Sequence, residues 1–219
     1  MNFKLLSVQN IMRMINDDTF KVNVTSQDRM KVPFGTKFLD AALCVPASSW
    51  EHQVTTGVIL THGAGLNLAH RVKAYRAVWH YLKSLQSLKH IFFGGRSMGC
   101  RAAAALAKQL RDESESAVQG VISLSFPLHP PGQTHAHQQR SEDLRGLPEN
   151  TCVLFVSGTE DNMCDRVLFE GTVKEMKAQV EVFWLNGGSH GLKVSGRSEE
   201  SVLQEVNSHV ITWLSKWEE

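Results

Sequence analysis

The sequence has few features that point to a membrane, a nucleic acid or a metal. No apolar run approaches the ~18 residues that a membrane-spanning helix requires, so none is expected. The net charge of +1 provides no overall field that would attract nucleic acid or an anionic membrane surface. The four cysteines form no C-x-x-C pair and match no zinc motif. We therefore expect no nucleic-acid or membrane partner, no metal and no cofactor.

The chain also lacks the marks of a secreted protein. Lys4 and Arg13 interrupt the first residues before any long apolar stretch forms, which is unlike a signal peptide. Three of the four cysteines lie in or beside apolar stretches, which is typical of buried thiols in a reducing compartment. We expect a cytoplasmic or nuclear location.

Composition indicates one globular domain. The 219 residues include 42% hydrophobic and 21% charged residues, which is ordinary for a folded domain with a large core. Residues 1–19 are mildly amphipathic, and we interpret them as an N-terminal lead, either a short helix or a disordered segment. Residues 20–219 are predicted to form a single domain.

From residue 58 onward, short apolar runs alternate with helical periodicity. The predicted strands are 20–24, 38–45, 58–60, 90–94, 120–126, 151–157 and 180–185, and the predicted helices are 70–85, 101–110, 166–178 and 199–217. This order is typical of an α/β fold with a mostly parallel, doubly wound sheet. The strands before residue 58 are expected to form an antiparallel edge.

Residues 95–99, Gly95-Arg96-Ser97-Met98-Gly99, fit the pattern G-x-S-x-G. An apolar strand precedes the motif and an alanine-rich helix follows it, as at a nucleophile elbow. Small flanking residues are needed because the turn from strand to helix is tight. Ser97 is therefore the candidate nucleophile. The alternative is a glycine-rich turn with an incidental serine.

A serine hydroxyl needs a base to take its proton, and the base needs an acid to orient it. His190 follows a predicted strand within a glycine-containing loop, and Asp161 follows another. Glu160 and Asp165 compete with Asp161 for the role of acid. The chain order Ser97, Asp161, His190 is the order of the α/β-hydrolase triad.

Two further segments bear on the predicted site. The amide of Met98 and that of Ala64 or Gly63, in the loop His62-Gly63-Ala64-Gly65, are candidate oxyanion donors; an ordinary glycine turn is the alternative. Residues 127–140 contain three histidines, but no carboxylate or cysteine is spaced to complete a metal site with them: His129, His135 and His137.

Segments over most of the chain match one known family. They read K-V-P-F-G-T-K-F-L-D-A, G-V-I-L-T-H-G-A-G, L-N-L-A-H-R-V-K-A-Y, G-G-R-S-M-G-C-R-A-A-A, S-F-P-L-H-P-P-G, L-F-V-S-G-T-E-D and G-S-H-G. In these the chain resembles the family that includes testis-expressed protein 30 and subunit 3 of the NSL histone acetyltransferase complex, whose bacterial relatives resemble dienelactone hydrolases. The resemblance implies an α/β-hydrolase fold with Ser97, Asp161 and His190 at the triad positions.

The chain departs from that family after the H-G-A-G loop. Members carry a further helix and strand there, whereas the interval from His62 to Ser97 has room for a single helix. We therefore predict an α/β-hydrolase fold that lacks one central helix and strand. The second strand is expected to slide over to pair or to leave an unpaired edge in the core, with weaker stability and a poorer oxyanion hole.

These observations predict a serine hydrolase that acts on a small ester, thioester or amide. Two alternatives remain open at this stage. One is a non-catalytic hydrolase-fold module that binds a protein partner in a chromatin-associated complex. The other is an inactive truncated isoform.

Overall fold

A computed structural model describes residues 2–6, 26–45, 56–63, 67–85, 88–114 and 117–217. Its strands form one eight-stranded sheet in the order β2-β3-β1-β4-β5-β6-β7-β8. They are β1 Asn2–Leu6, β2 Ser26–Phe34, β3 Lys37–Val45, β4 Thr56–Thr61, β5 His90–Arg96, β6 Gly120–Leu124, β7 Cys152–Gly158 and β8 Gln179–Leu185. The helices are α1 Leu68–Leu85, α2 Met98–Glu113, α3 His137–Arg140, α4 Glu142–Arg145, α5 Arg166–Glu175 and α6 Glu199–Leu214, with 3₁₀ turns at Thr134–Ala136 and Ser215–Trp217.

Strands β4 to β8 form the parallel half of the sheet. Alternate residues of these strands point to opposite faces, so one apolar run supplies two core layers. Ile59 and Phe93 belong to the layer that includes residues of α1, α2 and α5. Leu60 and Phe92 belong to the layer that includes residues of α6. The sheet is therefore covered by helices on both faces, which confirms the predicted doubly wound α/β architecture.

An antiparallel edge is present as predicted, but its outer strand, β2, was not among the predicted strands. β2 and β3 pair along their whole length and are joined by a tight turn in which Gly35 has a φ of 59°. A left-handed φ of this kind favours glycine because it has no side chain to clash. The predicted strand 20–24 lies outside the described residues.

One helix, α1, is described between β4 and β5, in agreement with the shortened interval. Its Tyr75 is fully buried, and the phenol donates to the carbonyl of Ile59 and accepts from the N–H of Gly94 at 3.1 Å. These two backbone groups belong to β4 and β5. Tyr75 therefore fastens the helix to both strands and satisfies backbone groups that would otherwise be costly to bury.

The slot between β3 and β4 is occupied by β1, which lies in the stretch predicted as an N-terminal lead. β1 runs parallel to β3 and antiparallel to β4. The family resemblance implies that the absent strand belongs in this slot. Neither of the two consequences expected from the absence of this strand occurs. β3 pairs with β1, so it neither slides across to pair with β4 nor presents an unpaired edge.

Among the described helices, none is long and apolar enough to cross a membrane.

The role of β1 is tested by replacing Lys4 with proline. Lys4 lies opposite Ala42 of β3 and Leu60 of β4, and proline there disrupts the ladder because it has no N–H to donate. Leaving one buried partner unsatisfied costs roughly 1–3 kcal/mol, which for a domain of this size lowers the Tm by about 2–12 °C. Thermal unfolding followed by circular dichroism measures the change. Lys4→Ala is the control, since it keeps the N–H; equal Tm values for the two variants would show that residues 2–6 are not part of the sheet.

Candidate active site

The turn that carries Ser97 joins β5 directly to α2. Ser97 has φ 51° and ψ −120°, and it is one of three non-glycine residues with positive φ in the described part of the chain. Such a conformation costs about 1–3 kcal/mol. The Ser97 N–H donates to the carbonyl of Leu124 at 3.0 Å, which ties the turn to the end of β6. The strained conformation is that expected at a nucleophile elbow.

Glycines around Ser97 let three backbone segments approach closely. A Cβ at Gly95 would lie 2.3 Å from the carbonyl carbon of Gly99, and a Cβ at Gly99 would lie 2.3 Å from the carbonyl oxygen of Thr61. Neither position has room for a side chain. The glycines of the motif therefore serve the tight turn that the sequence predicts, and Gly99 also lets this turn pack against the end of β4.

The structure brings Ser97, His190 and Asp161 together although they are far apart in the chain. His190 Nε2 lies 2.9 Å from Ser97 Oγ, and His190 Nδ1 lies 2.8 and 3.0 Å from the two Asp161 carboxylate oxygens. An ionised carboxylate only accepts hydrogen bonds, so Nδ1 carries the hydrogen and donates it. Nε2 is then left as an acceptor facing the Ser97 hydroxyl.

The surroundings of Asp161 favour it over its two competitors. Its side chain is 0% exposed, and Oδ1 accepts a hydrogen bond from the Met163 N–H at 2.8 Å. Asp165 instead caps α5 by accepting from the Leu168 N–H at 3.0 Å. Glu160 is exposed, and only its backbone N–H is bonded to the histidine loop. Of the three candidate acids, Asp161 is therefore the one whose carboxylate contacts the His190 imidazole.

The loops that carry Asp161 and His190 are bonded to each other. The Glu160 N–H donates to the carbonyl of Gly188 at 2.9 Å, and the Gly187 N–H donates to Thr159 Oγ1 at 2.8 Å. The two backbones approach so closely that a Cβ at Gly158 would lie 2.0 Å from the Gly188 carbonyl oxygen. These contacts fix the positions of the Asp161 carboxylate and the His190 imidazole relative to each other. The sequence did not reveal the hydrogen bonds between the two loops.

The candidate oxyanion donors lie at the same edge of the sheet. Met98 is the first residue of α2, and a Cβ at Gly63 would lie 3.4 Å from the Met98 nitrogen and 2.8 Å from Ser97 Cβ. Of the predicted oxyanion donors, the structure describes Gly63 and Met98, and both lie beside Ser97. Ala64 lies outside the described residues.

From the sequence alone Arg71 could meet an anionic group, and a surface salt bridge is the expected role; the surface position is wrong, because the structure buries Arg71. It is 0% exposed, and its Nη1 donates to the carbonyl of His62 at 2.6 Å and Nη2 to that of Gly63 at 3.4 Å. Burial lowers the pKa of its guanidinium. The sequence contains one signal for this burial: Arg71 lies four residues before Tyr75, so both belong to the same, buried face of α1. Arg71 holds the segment that follows β4 against the helix.

The histidine-rich segment supports the acid loop. His129 is buried, its N–H donates to the carbonyl of Met163 at 3.0 Å, and its Nε2 accepts from the Asp165 N–H at 3.0 Å. Within the described ranges no group of three or more metal-ligating side chains occurs. His135 and His137 do not join His129 in such a cluster.

Burial shifts the pKa values of two cysteine thiols. Burial raises the pKa of Cys100 and of Cys164 to about 12, so both thiols are protonated at neutral pH and are weak nucleophiles.

Burial lowers the pKa of Arg96, an effect that the charge of Glu199 opposes. One Arg96 nitrogen lies 3.7 Å from where a Cβ at Gly191 would stand, beside the histidine loop.

Solved structures share this architecture at low identity. Est1E from Butyrivibrio proteoclasticus matches with a TM-score of 0.64 at 14% identity, covering 86% of this chain and 98% of that one. Dienelactone hydrolase from Anabaena variabilis matches with a TM-score of 0.63 at 15% identity, covering 87% and 97%. An esterase from Pyrobaculum calidifontis matches with a TM-score of 0.61 at 14% identity, covering 87% and 86%. At these identities the likeness establishes the α/β-hydrolase fold.

The sequence itself matches a family. Residues 71–217, more than half of the chain, match the family described as alpha/beta hydrolase domain. The matched stretch contains the elbow and the two loops that bring His190 and Asp161 to Ser97. The chain belongs to the alpha/beta hydrolase domain family.

Proposed function

We propose that this hydrolase is a serine hydrolase that cleaves a small ester, thioester or amide with Ser97 as its nucleophile. One observation carries the proposal: the hydroxyl of Ser97 lies 2.9 Å from the ring nitrogen of His190 whose partner nitrogen faces a buried carboxylate. A nucleophile within hydrogen-bond reach of a base that a third group orients is the arrangement that acyl transfer requires.

The proposed reaction begins when Ser97 Oγ attacks the carbonyl carbon of the substrate. His190 Nε2 takes the Ser97 proton and gives it to the leaving group as the tetrahedral intermediate collapses to an acyl-enzyme. Asp161 stabilises the imidazolium because its carboxylate is buried beside Nδ1. Water, deprotonated by His190, then releases the acyl group and restores Ser97.

The negative charge that develops on the carbonyl oxygen needs donors fixed in advance. The Met98 amide at the N-terminus of α2 is the first proposed donor, and the loop of Gly63 and Ala64 supplies the second. Removing one such donor typically costs about 10²–10³-fold in kcat. The contact of Gly63 with the elbow supports its part in this arrangement.

The segments that resemble the family of testis-expressed protein 30 and NSL complex subunit 3 support a finer proposal, that the chain is a relative of that family. The dienelactone hydrolase and esterases among the similar structures support a small acyl substrate. The alternative is a non-catalytic module that binds a protein partner. Failure of a fluorophosphonate probe to label the folded wild-type protein would favour this alternative.

Labelling with a fluorophosphonate probe tests the nucleophile. We expect the purified protein to be labelled covalently and Ser97→Ala to lose the label, because only an activated serine attacks the phosphorus. In-gel fluorescence and intact mass measure the adduct. Ser208→Ala, an exposed change on α6, is the matched control and should label normally. A folded wild-type protein that never labels would contradict the proposal.

Replacing Asp161 with asparagine tests the acid. The amide still fits, but it can present its NH₂ to Nδ1 and favour the wrong imidazole tautomer, so kcat on a nitrophenyl ester should fall by roughly 10⁴-fold. Asp165→Asn is the control, because asparagine also caps a helix well. Steady-state kinetics compare the two. Equal activities for both variants would remove Asp161 from the mechanism.

A methyl group at position 63 tests the contact between the β4 loop and the elbow. In Gly63→Ala the new Cβ would lie 2.8 Å from Ser97 Cβ and 2.9 Å from the Arg96 carbonyl oxygen, so the backbone must shift. A displacement of ångström scale should slow probe labelling by roughly 10- to 100-fold. Gly171→Ala, where no atom lies within 4 Å, should leave the labelling rate unchanged. An unaffected rate in Gly63→Ala would show that this loop does not serve the reaction.

A further inference from the structure

A short buried segment, residues 125–129, begins beside the nucleophile elbow; we call it the bridging segment. It follows the last residue of β6, Leu124, whose carbonyl accepts the Ser97 N–H at 3.0 Å. Its first residue, Ser125, donates its N–H to the carbonyl of Val156 in β7 at 2.8 Å. Ser125 is fully buried and has φ 54°, a left-handed conformation that costs about 1–3 kcal/mol. The backbone therefore leaves the extended conformation at a point that is bonded to β7.

His129 ends the bridging segment and is bonded twice to the acid loop, residues 159–165. Its backbone N–H donates to the carbonyl of Met163 at 3.0 Å, and its ring Nε2 accepts the N–H of Asp165 at 3.0 Å. Met163 in turn donates its N–H to Asp161 Oδ1 at 2.8 Å. His129 thus holds the backbone of the acid loop at two residues, and one of these residues donates to the carboxylate.

The partners of the His129 ring define which of its nitrogens carries the hydrogen. Nδ1 lies 2.9 Å from the Pro130 carbonyl oxygen, which accepts and does not donate, so Nδ1 carries the hydrogen. Nε2 faces the Asp165 N–H, which donates and does not accept, so Nε2 carries none. His129 is 3% exposed, which leaves little room for water to replace either partner. The neutral imidazole with its hydrogen on Nδ1 is the form that satisfies both contacts.

We propose that His129 is a positioning residue for the reaction, whose neutral imidazole holds the acid loop so that the Asp161 carboxylate faces His190. The proposal rests on the proposed hydrolase function. The effect passes through the backbone, because His129 bonds to Met163 and Met163 bonds to the carboxylate. The bridging segment starts next to the carbonyl that holds the Ser97 N–H, so five residues connect the supports of the nucleophile and of the acid. Small displacements of either group slow a reaction strongly.

Two amide replacements at position 129 test the contact of the ring with the acid loop. His129→Gln can place its Oε1 where Nε2 lies and still accept the Asp165 N–H. His129→Asn is one carbon shorter, so its amide reaches the position of Nδ1 and leaves that N–H unpaired. We expect His129→Asn to lower the rate of fluorophosphonate labelling, and kcat on a nitrophenyl ester, by roughly 10- to 100-fold. KM should change little, because the acid loop acts on His190 and not on the substrate. His129→Gln should recover most of the loss.

A second histidine nearby provides the matched control. His137 Nδ1 donates to the Thr134 carbonyl at 2.8 Å, a contact away from the acid loop, so His137→Asn should label at the wild-type rate. All variants are compared well below the lowest Tm among them, so that loss of folded protein does not enter the rates. Equal rates for the wild type and His129→Asn would overturn the proposal. A loss that His129→Gln shares in full would also overturn it, because the acceptor at Nε2 would then not matter.

Nitrogen NMR of the imidazole rings needs no turnover. With ¹⁵N-labelled histidine, long-range ¹H–¹⁵N correlations show which ring nitrogen carries the hydrogen, at a pH where the rings are neutral. We expect the hydrogen on Nδ1 of His129 and on Nδ1 of His190 in the wild-type protein. In His129→Asn, His190 should lose its preference for Nδ1, an effect that a general loss of stability does not produce. A wild-type His129 with its hydrogen on Nε2 would overturn the proposal, and this measurement does not require any variant to fold.

The NMR and labelling results together keep this proposal distinct from the proposed function. If the His190 hydrogen shifts in His129→Asn while no protein is labelled or cleaves an ester, the positioning role stands and the hydrolase function fails. If the wild type is labelled and the His190 ring is unchanged in His129→Asn, the hydrolase function stands and the positioning role fails.

Discussion

The backbone turn at Ser97 is the constraint on which the rest of the site depends. Its left-handed conformation lifts the hydroxyl above the end of the sheet and starts α2 immediately afterwards. That geometry requires glycine at positions 95 and 99, because the turn packs on itself and on the end of β4. The strain, about 1–3 kcal/mol, is offset by the buried helix and strand that the turn connects.

The His190 imidazole lies between the carboxylate of Asp161 and the hydroxyl of Ser97. The buried carboxylate of Asp161 holds the hydrogen of His190 on Nδ1, so that Nε2 faces the hydroxyl. The loops after β7 and β8 are bonded to each other, which keeps both groups in place without help from the substrate.

The shortened interval between β4 and β5 has a structural solution. β4 and β5 still pair in parallel, and the single helix between them, α1, places the Tyr75 hydroxyl on a backbone group of each strand. Arg71 of the same helix donates to the carbonyls of His62 and Gly63, which follow β4. The N-terminal strand β1 fills the slot beside β4, so the sheet keeps eight strands although the family resemblance implies that one is absent.

The sequence by itself determined the α/β alternation, the elbow and the candidates Ser97, Asp161 and His190, because hydrophobic periodicity and glycine spacing are local properties of the chain. Three matters were decided only by the tertiary structure. Asp161 and Asp165 differ in role because just one faces the imidazole, and that depends on how two distant loops meet. β1 joins the sheet through pairing with strands remote in sequence, which its own residues do not encode. Arg71 is buried by packing of its helix on the sheet, which no local pattern of charge reveals.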